Sequence, residues 1–140
     1  MVKKDLISAG KFDEIEAMTR DAVNAMLGFK LKHIGINQDS PEAAEAVADK
    51  FDSLFGFTKK VGNSSVFAGS FVEVMKAKGR GTCGHIAVGC NNIDRAVYHL
   101  SRQGVKFEEA SLSYDAEGHL KNAYLEDDFG GFRVHLGKNE

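Results

Sequence analysis

Hydrophobic and polar positions change period several times along the chain, and the changes mark its elements. In "KFDEIEAMTRDAVNAMLG" (11–28), Ile15, Met18, Ala22, Val23 and Met26 recur at helical spacing and form one stripe. Asp13 and Glu16 read as a capping box, and Gly28 as the stop. This helix needs to bury its stripe on the rest of the chain or on a partner. The preceding "VKKDLISAG" shows no clear period. From Lys30 the period falls to two, so "KLKHIGIN" predicts a strand with Leu31, Ile34 and Ile36 apolar. "SPEAAEAVADKFDSLFG" predicts a helix capped by Ser40, with Pro41 in the first turn and Gly56 closing it. Three short extended stretches follow, "FTKKVG", "SSVFAG" and "FVEVMKAK", separated by Gly and Asn turn signals.

Beyond the Gly-rich "GRGTCG" the same order returns. "GHIAVGC" predicts a strand, and "NIDRAVYHLSRQG" a helix capped by Asn92 and ended at Gly104. "VKFEEASLSY", "LKNAYLEDD" and "FRVHLG" read as extended, with a hairpin at "DAEGH". The chain thus carries two tandem strand-helix-strand-strand-strand units, an internal repeat. Each unit buries one sheet face under its helix, which leaves the opposite faces to build a shared concave surface.

Strand alternation assigns the residues of that surface. With Ile34 and Ile36 taken as core, His33, Gly35 and Asn37 point the other way. With Val72 and Val74 as core, Phe71, Glu73 and Met75 oppose them; with Ile86 and Val88, His85, Ala87 and Gly89 do. Phe132, Val134 and Leu136 leave Arg133 and His135. The first and last strand of each repeat therefore contributes one strong ligand type to the same face: His33, Glu73, His85 and His135. Any one of these alone reads as a solvated polar residue, but four in a two-fold plan point to a metal site. Three imidazoles and a carboxylate suit Zn, Ni, Fe or Mn better than the oxygen-seeking Mg or Ca. Asn37, Phe71, Met75 and Arg133 are candidate substrate-binding residues, while Tyr124 can point either way. His99 and His119 fall outside the pattern and read as surface residues.

Composition narrows the function classes. The chain has 140 residues, 43% hydrophobic and 27% charged, with a net charge of -2. That suits a globular protein with one main domain and gives no electrostatic case for nucleic acid or membrane surfaces. No apolar run approaches the roughly 20 residues of a membrane helix, and the N-terminus lacks a signal-peptide plan. Cys83 and Cys90 flank one predicted strand of roughly 20 Å, out of disulfide reach, so free thiols in a reducing cytoplasm are expected. Cys90 reads as a small buried hydrophobe. "GNSSVFAG" lacks the ordered Gly-Lys pattern of a phosphate loop and reads as a hairpin turn. The "DD" at 127–128 reads as turn chemistry.

The motifs "HIGIN", "FVEVM", "GHIAVG" and "YLEDDFGGFRVHL" resemble, in order and spacing, the vicinal oxygen chelate superfamily, which includes glyoxalase I and methylmalonyl-CoA epimerase. The resemblance covers residues 30–137. It implies an α+β fold of paired βαβββ modules (30–79 and 82–137) forming a glyoxalase-like domain over 30–140, preceded by an N-terminal helical segment over 1–29. It further implies a divalent metal at His33, Glu73, His85 and His135, chelating neighbouring substrate oxygens and stabilising an enediolate. His135 and Glu73 become the candidate catalytic residues. Such proteins usually carry a glutamate at the position of His135, often as catalytic base, and "DDFGG" replaces a more common Asp-Pro-Asp-Gly type of turn.

"VKKDLISAGKFDEIEAMTRDAV" is similar to the final segment of KHG/KDPG aldolases, (β/α) barrels that cleave 2-keto-3-deoxy acids. Their barrel and Schiff-base lysine are absent from this chain. The readings that follow are a metal-dependent lyase or isomerase acting on a small anionic 2-keto or 2-hydroxy acid, or a non-catalytic metal- and metabolite-binding or oligomerisation module accessory to an aldolase. A homodimer is the expected assembly.

Overall fold

The structure, a computed structural model, describes residues 3–139. Two helices open it, α1 (Lys4–Ser8) and α2 (Phe12–Leu27). The first repeat is β1 (Lys30–Ile36), α3 (Pro41–Phe55), β2 (Lys59–Val61), β3 (Ser65–Ala68) and β4 (Val72–Met75). The second is β5 (Gly84–Cys90), α4 (Ile93–Ser101), β6 (Ser113–Tyr114), β7 (Leu120–Phe129) and β8 (Phe132–Lys138). Both repeats therefore fold as βαβββ units.

Their strands form one sheet in the order β2-β3-β4-β1-β5-β8-β7-β6. The repeats meet where β1 pairs antiparallel with β5, so the modules close within a single chain. On either side lies a parallel pair, β1 with β4 and β5 with β8. This arrangement is two-fold about the β1–β5 seam, and it brings the first and last strand of each repeat into the four central positions.

Local chemistry explains the helix ends. The Ser40 hydroxyl accepts from the Ala43 amide at the start of α3, Pro41 fills the first turn, and Gly56 takes the left-handed conformation beyond it. Asn92 caps α4 by accepting from the Arg95 amide at 2.8 Å. The capping box read at Asp13 and Glu16 does not form. Helix α2 begins at Phe12 behind Lys11, with no side-chain cap, and Glu16 pairs with Arg20 instead.

Two cores lie between the helices and the outer face of the sheet. Ala44 and Ala48 of α3 pack on Val66, Ala68 and Val74. The larger core joins Ile93 and Ala96 of α4 to Cys90, Ala123, Leu125, Val134 and Leu136. Leu27 completes it, and the Asn91 amide donates to the Leu27 carbonyl at 2.8 Å, tying the end of α2 to the second module. Of the α2 stripe, only Ile15 and Val23 are partly buried; Met18, Ala22 and Met26 stay exposed.

Two further expectations need correction. Ile34 was assigned to the core but is 36% exposed, because neither helix covers the outer face of β1. Leu31 and Ile34 differ in parity, and a bulge adds Lys32 between the pairs Leu31–Val88 and His33–Ala87. The stretch "VKFEEASLSY" is not continuously extended: Glu109–Ser111 forms a 3-10 turn before the two-residue β6. The hairpins at "GNSSVFAG" and "DAEGH" are present, the latter held by Asp115, whose Oδ1 accepts from the Glu117 and His119 amides. Among the described residues, no helix is long and apolar enough to cross a membrane.

Candidate metal centre

Backbone register decides how the four ligand-type residues meet. Gly35 on β1 lies between Glu73 on β4 and His85 on β5, and Ala87 on β5 lies between His33 on β1 and His135 on β8. Two neighbouring rows thus cross the central strands, each with a small residue flanked by two ligand types. Strands are about 4.8 Å apart, so side chains two strands apart converge only over a residue without bulk. At Gly35 the space is fully used: a Cβ there would lie 2.1 Å from Cε1 of His85.

The resulting cluster is tight. His33 Nε2 lies 3.2 Å from His85 Nε2, and Glu73 Oε2 lies 3.1 Å from each. These three side chains are between 9 and 15% exposed, so most water is excluded. His135 joins from β8, its ring centre 5.2 Å from that of His85 and 5.7 Å from that of His33. One ligand atom from each histidine lies within 4.8 Å of those of the other two.

Electrostatics sharpen the picture. Burial alone would raise the Glu73 pKa, but hydrogen bonds from His33, His85 and Ser65 outweigh it and hold the carboxyl well below its usual range. Ser65 Oγ donates to Glu73 Oε1 at 2.7 Å, leaving Oε2 turned to the histidines. Burial, reinforced by His85 and His33, pushes His135 down from 6.5 to about 4, so this imidazole is neutral at pH 7. Its Nδ1 is buried without a hydrogen-bond partner. Neutral imidazole is the metal-binding form.

The donor set fits a divalent cation. Ligand atoms around an ion with bonds near 2.1 Å sit roughly 3 to 3.4 Å apart, and the His33, His85 and Glu73 separations match. Three nitrogens and one oxygen suit the borderline transition metals.

The other sequence-selected residues take varied places. Phe71 is 61% exposed and lines a cleft beside His33. Met75 is half-buried and pairs with Ser65 across β3 and β4. Asn37 is committed to the linker between modules, donating to the Gly81 carbonyl and accepting from the Gly79 amide. Arg133 shares the row of His85, but its guanidinium donates to the Leu125 carbonyl at 2.6 Å and pairs with Glu108 at 3.3 Å. His99 bonds Gln103, and His119 lies 3.9 Å from Asp94, both outside the cluster.

Four residues around the site were not singled out. Ser65 and Phe67 share a face with Glu73, and alternation about Val66 carries that signal; Phe67 packs edge-on to His33 at 5.6 Å. Arg80 and Glu108 form a two-pronged ion pair, both contacts 3.0 Å, with Arg80 4.7 Å above the Tyr124 ring. No period marks either residue. Tyr124, ambiguous in sequence, lies on the site face against His135, ring centres 4.7 Å apart.

Solved structures share this architecture. A hypothetical protein, BH1468 from Bacillus halodurans C-125, superposes with a TM-score of 0.56 at 16% identity, covering 80% of this chain and 95% of its own. A Streptomyces coelicolor methylmalonyl-CoA epimerase variant in complex with 2-nitronate-propionyl-CoA gives 0.53 at 16% identity, covering 76% and 92%. The fold is the vicinal oxygen chelate fold. Methylmalonyl-CoA epimerase from Mycobacterium tuberculosis shows the same chelate fold, with a TM-score of 0.52 at 14% identity over 82% of this chain and 90% of its own. No protein-family profile matches the chain. Nor does any curated protein match it by sequence. Within the chelate fold, the four ligand-type residues occupy the central strands of the paired modules, on the face opposite the one that packs under α3 and α4.

Proposed function

We propose that this chain is a divalent-metal-dependent, glyoxalase-like enzyme acting on a small anionic 2-keto or 2-hydroxy acid. The observation that carries this reading is the convergence of His33, His85 and His135 within 4.8 Å, joined by Glu73 at 3.1 Å from two of them. These four residues would hold the ion, and Ser65 orients Glu73 by its hydrogen bond. The ion, when bound, supplies Lewis-acid stabilisation of an enediolate on the substrate. With three imidazoles and one carboxylate as ligands, a bound divalent ion would leave a formal charge of about +1, which favours an anionic substrate. Phe67 and Tyr124 give the cluster aromatic walls.

One observation favours a second reading, binding without turnover. His135 stands where related proteins commonly carry a carboxylate base, and its depressed basicity suits ligation better than proton uptake. In that case the domain is a metal- and metabolite-binding module. The likeness of residues 2–23 to an aldolase tail supports an accessory role beside a KHG/KDPG aldolase. A homodimer is the assembly proposed, with the uncovered outer face of β1, where Leu31 and Ile34 are exposed, available to a second copy.

Proton exchange separates the two readings. Metal-loaded protein is incubated in D2O with 2-keto and 2-hydroxy acids, and deuterium incorporation beside the carbonyl is followed by NMR. Exchange or product formation abolished by His85→Ala supports the enzyme. Tight ligand binding with neither supports the binding module.

A further inference from the structure

The linker between the two modules reaches the site through Arg80. Asn37, at the end of β1, holds the backbone on both sides of that residue: its Oδ1 accepts from the Gly79 amide at 3.1 Å, and its Nδ2 donates to the Gly81 carbonyl at 2.9 Å. So anchored, Arg80 sets its guanidinium 4.7 Å above the Tyr124 ring. The electron-rich face of that ring attracts the cation. Tyr124 in turn packs on His135, ring centres 4.7 Å apart. One phenol ring therefore separates Arg80 from the metal cluster.

Glu108 shows what this guanidinium is placed to bind. The bridge between Phe107 and Leu125, and the bond from the Glu108 amide to the Tyr124 carbonyl, set this segment alongside β7. The two carboxylate oxygens of Glu108 then accept from Nε and Nη2 of Arg80, each at 3.0 Å. Arg133 brings a second guanidinium 3.3 Å from Glu108 Oε2. Two cations thus share one carboxylate, no other acid pairs with either among the described residues, and the trio carries one positive charge in excess.

The two arginines are not equally available. Arg133 donates from Nε and Nη2 to the Leu125 carbonyl and its side chain is 22% exposed, whereas that of Arg80 is 39% exposed. Among the described residues, Nη1 of Arg80 donates to no group. A guanidinium has five N–H donors, so a second fork, along Nη1 and Nη2, remains beside the one that Glu108 fills. Such a fork matches the two oxygens of a carboxylate.

We propose that Arg80 binds a second, remote carboxylate of the substrate, so that the acid taken at the metal cluster is a 2-keto or 2-hydroxy dicarboxylic acid. Tyr124 is the wall along which its short carbon chain lies. The charges match: one carboxylate meets the formal excess of the metal-loaded cluster, and the other meets the excess of the arginine pair. A monocarboxylate leaves the second unanswered. This deepens the metal-enzyme reading by naming the far end of the substrate, and it rests on that reading for the chelated end alone.

Calorimetric titration of 2-oxoglutarate and of 2-oxovalerate, which has the same chain length with a methyl group in place of the remote carboxylate, tests it. Each acid is titrated into the zinc-loaded and the metal-free chain, unaltered and as Arg80→Met and Arg80→Lys. The unaltered zinc-loaded chain is expected to bind 2-oxoglutarate about tenfold or more tightly than 2-oxovalerate. Arg80→Met should erase that preference and leave 2-oxovalerate binding unchanged, while Arg80→Lys, which keeps the charge without the fork, should retain a smaller part of it. Equal binding of the two acids, binding of neither, or a preference that survives Arg80→Met overturns the proposal. Zinc content and circular dichroism of each variant keep the two readings apart. A chain that holds zinc but shows no preference refutes the proposal and spares the metal site. One that holds no zinc, yet still favours the dicarboxylate through Arg80, refutes the metal site alone.

Discussion

Gly35 and His85 face each other across the seam between the two modules, and the imidazole occupies the space that any Cβ at position 35 would take. The ligand is therefore placed by its neighbour's lack of a side chain. Gly35→Ala is expected to push His85 out of the cluster and lower zinc affinity at least about tenfold, within the range seen when ligand-orienting groups are lost. Equilibrium dialysis against zinc checks this, with circular dichroism to confirm that the sheet persists.

Ser65 makes a subtler case. Its hydroxyl holds one oxygen of Glu73 and leaves the other for the histidines. Ser65→Ala should weaken zinc binding by about 10-fold, while Ser65→Thr, which keeps the hydroxyl, should lose less. The order of the two affinities is the readout.

The metal-free chain should lose stability on acidification. His135 titrates near 6.5 when unfolded and at about 4 when folded, so between those values the unfolded state binds more protons and folding weakens as pH falls. The loss from this group amounts to about 3 kcal/mol at most. Glu73, held low in the folded state, adds a further loss below the ordinary carboxylate range. Urea midpoints measured from pH 7 to 4 should fall, and His135→Gln should flatten the upper part of that slope.

The two thiols should differ sharply. Cys83 is exposed, whereas Cys90 is wholly buried and its pKa is raised by that burial. A thiol reagent should label one cysteine per native chain and the second only after unfolding.

Much of the site was legible because strand alternation is local. The faces of His33, Glu73, His85 and His135 follow from their apolar neighbours, and the repeat places their strands side by side. Register was not legible. Nothing local announces that Gly35 lies between Glu73 and His85, or that a bulge at Lys32 resets β1. The commitments of Arg133 to Leu125 and Glu108, and of Asn37 to the linker, depend on contacts 8 to 44 residues apart, which no period records. Ile34 shows the converse limit: its pattern is that of a core residue, but the gap between α3 and α4 leaves it exposed.

The central claim is that these four residues bind one metal ion. The most direct measurement is metal content by mass spectrometry after zinc loading and desalting, for the unaltered chain and for His85→Ala and His135→Ala. One zinc per chain, lost in His85→Ala and reduced in His135→Ala with the fold intact, is the predicted result. A chain that retains no zinc, or variants that retain as much as the unaltered protein, would contradict it.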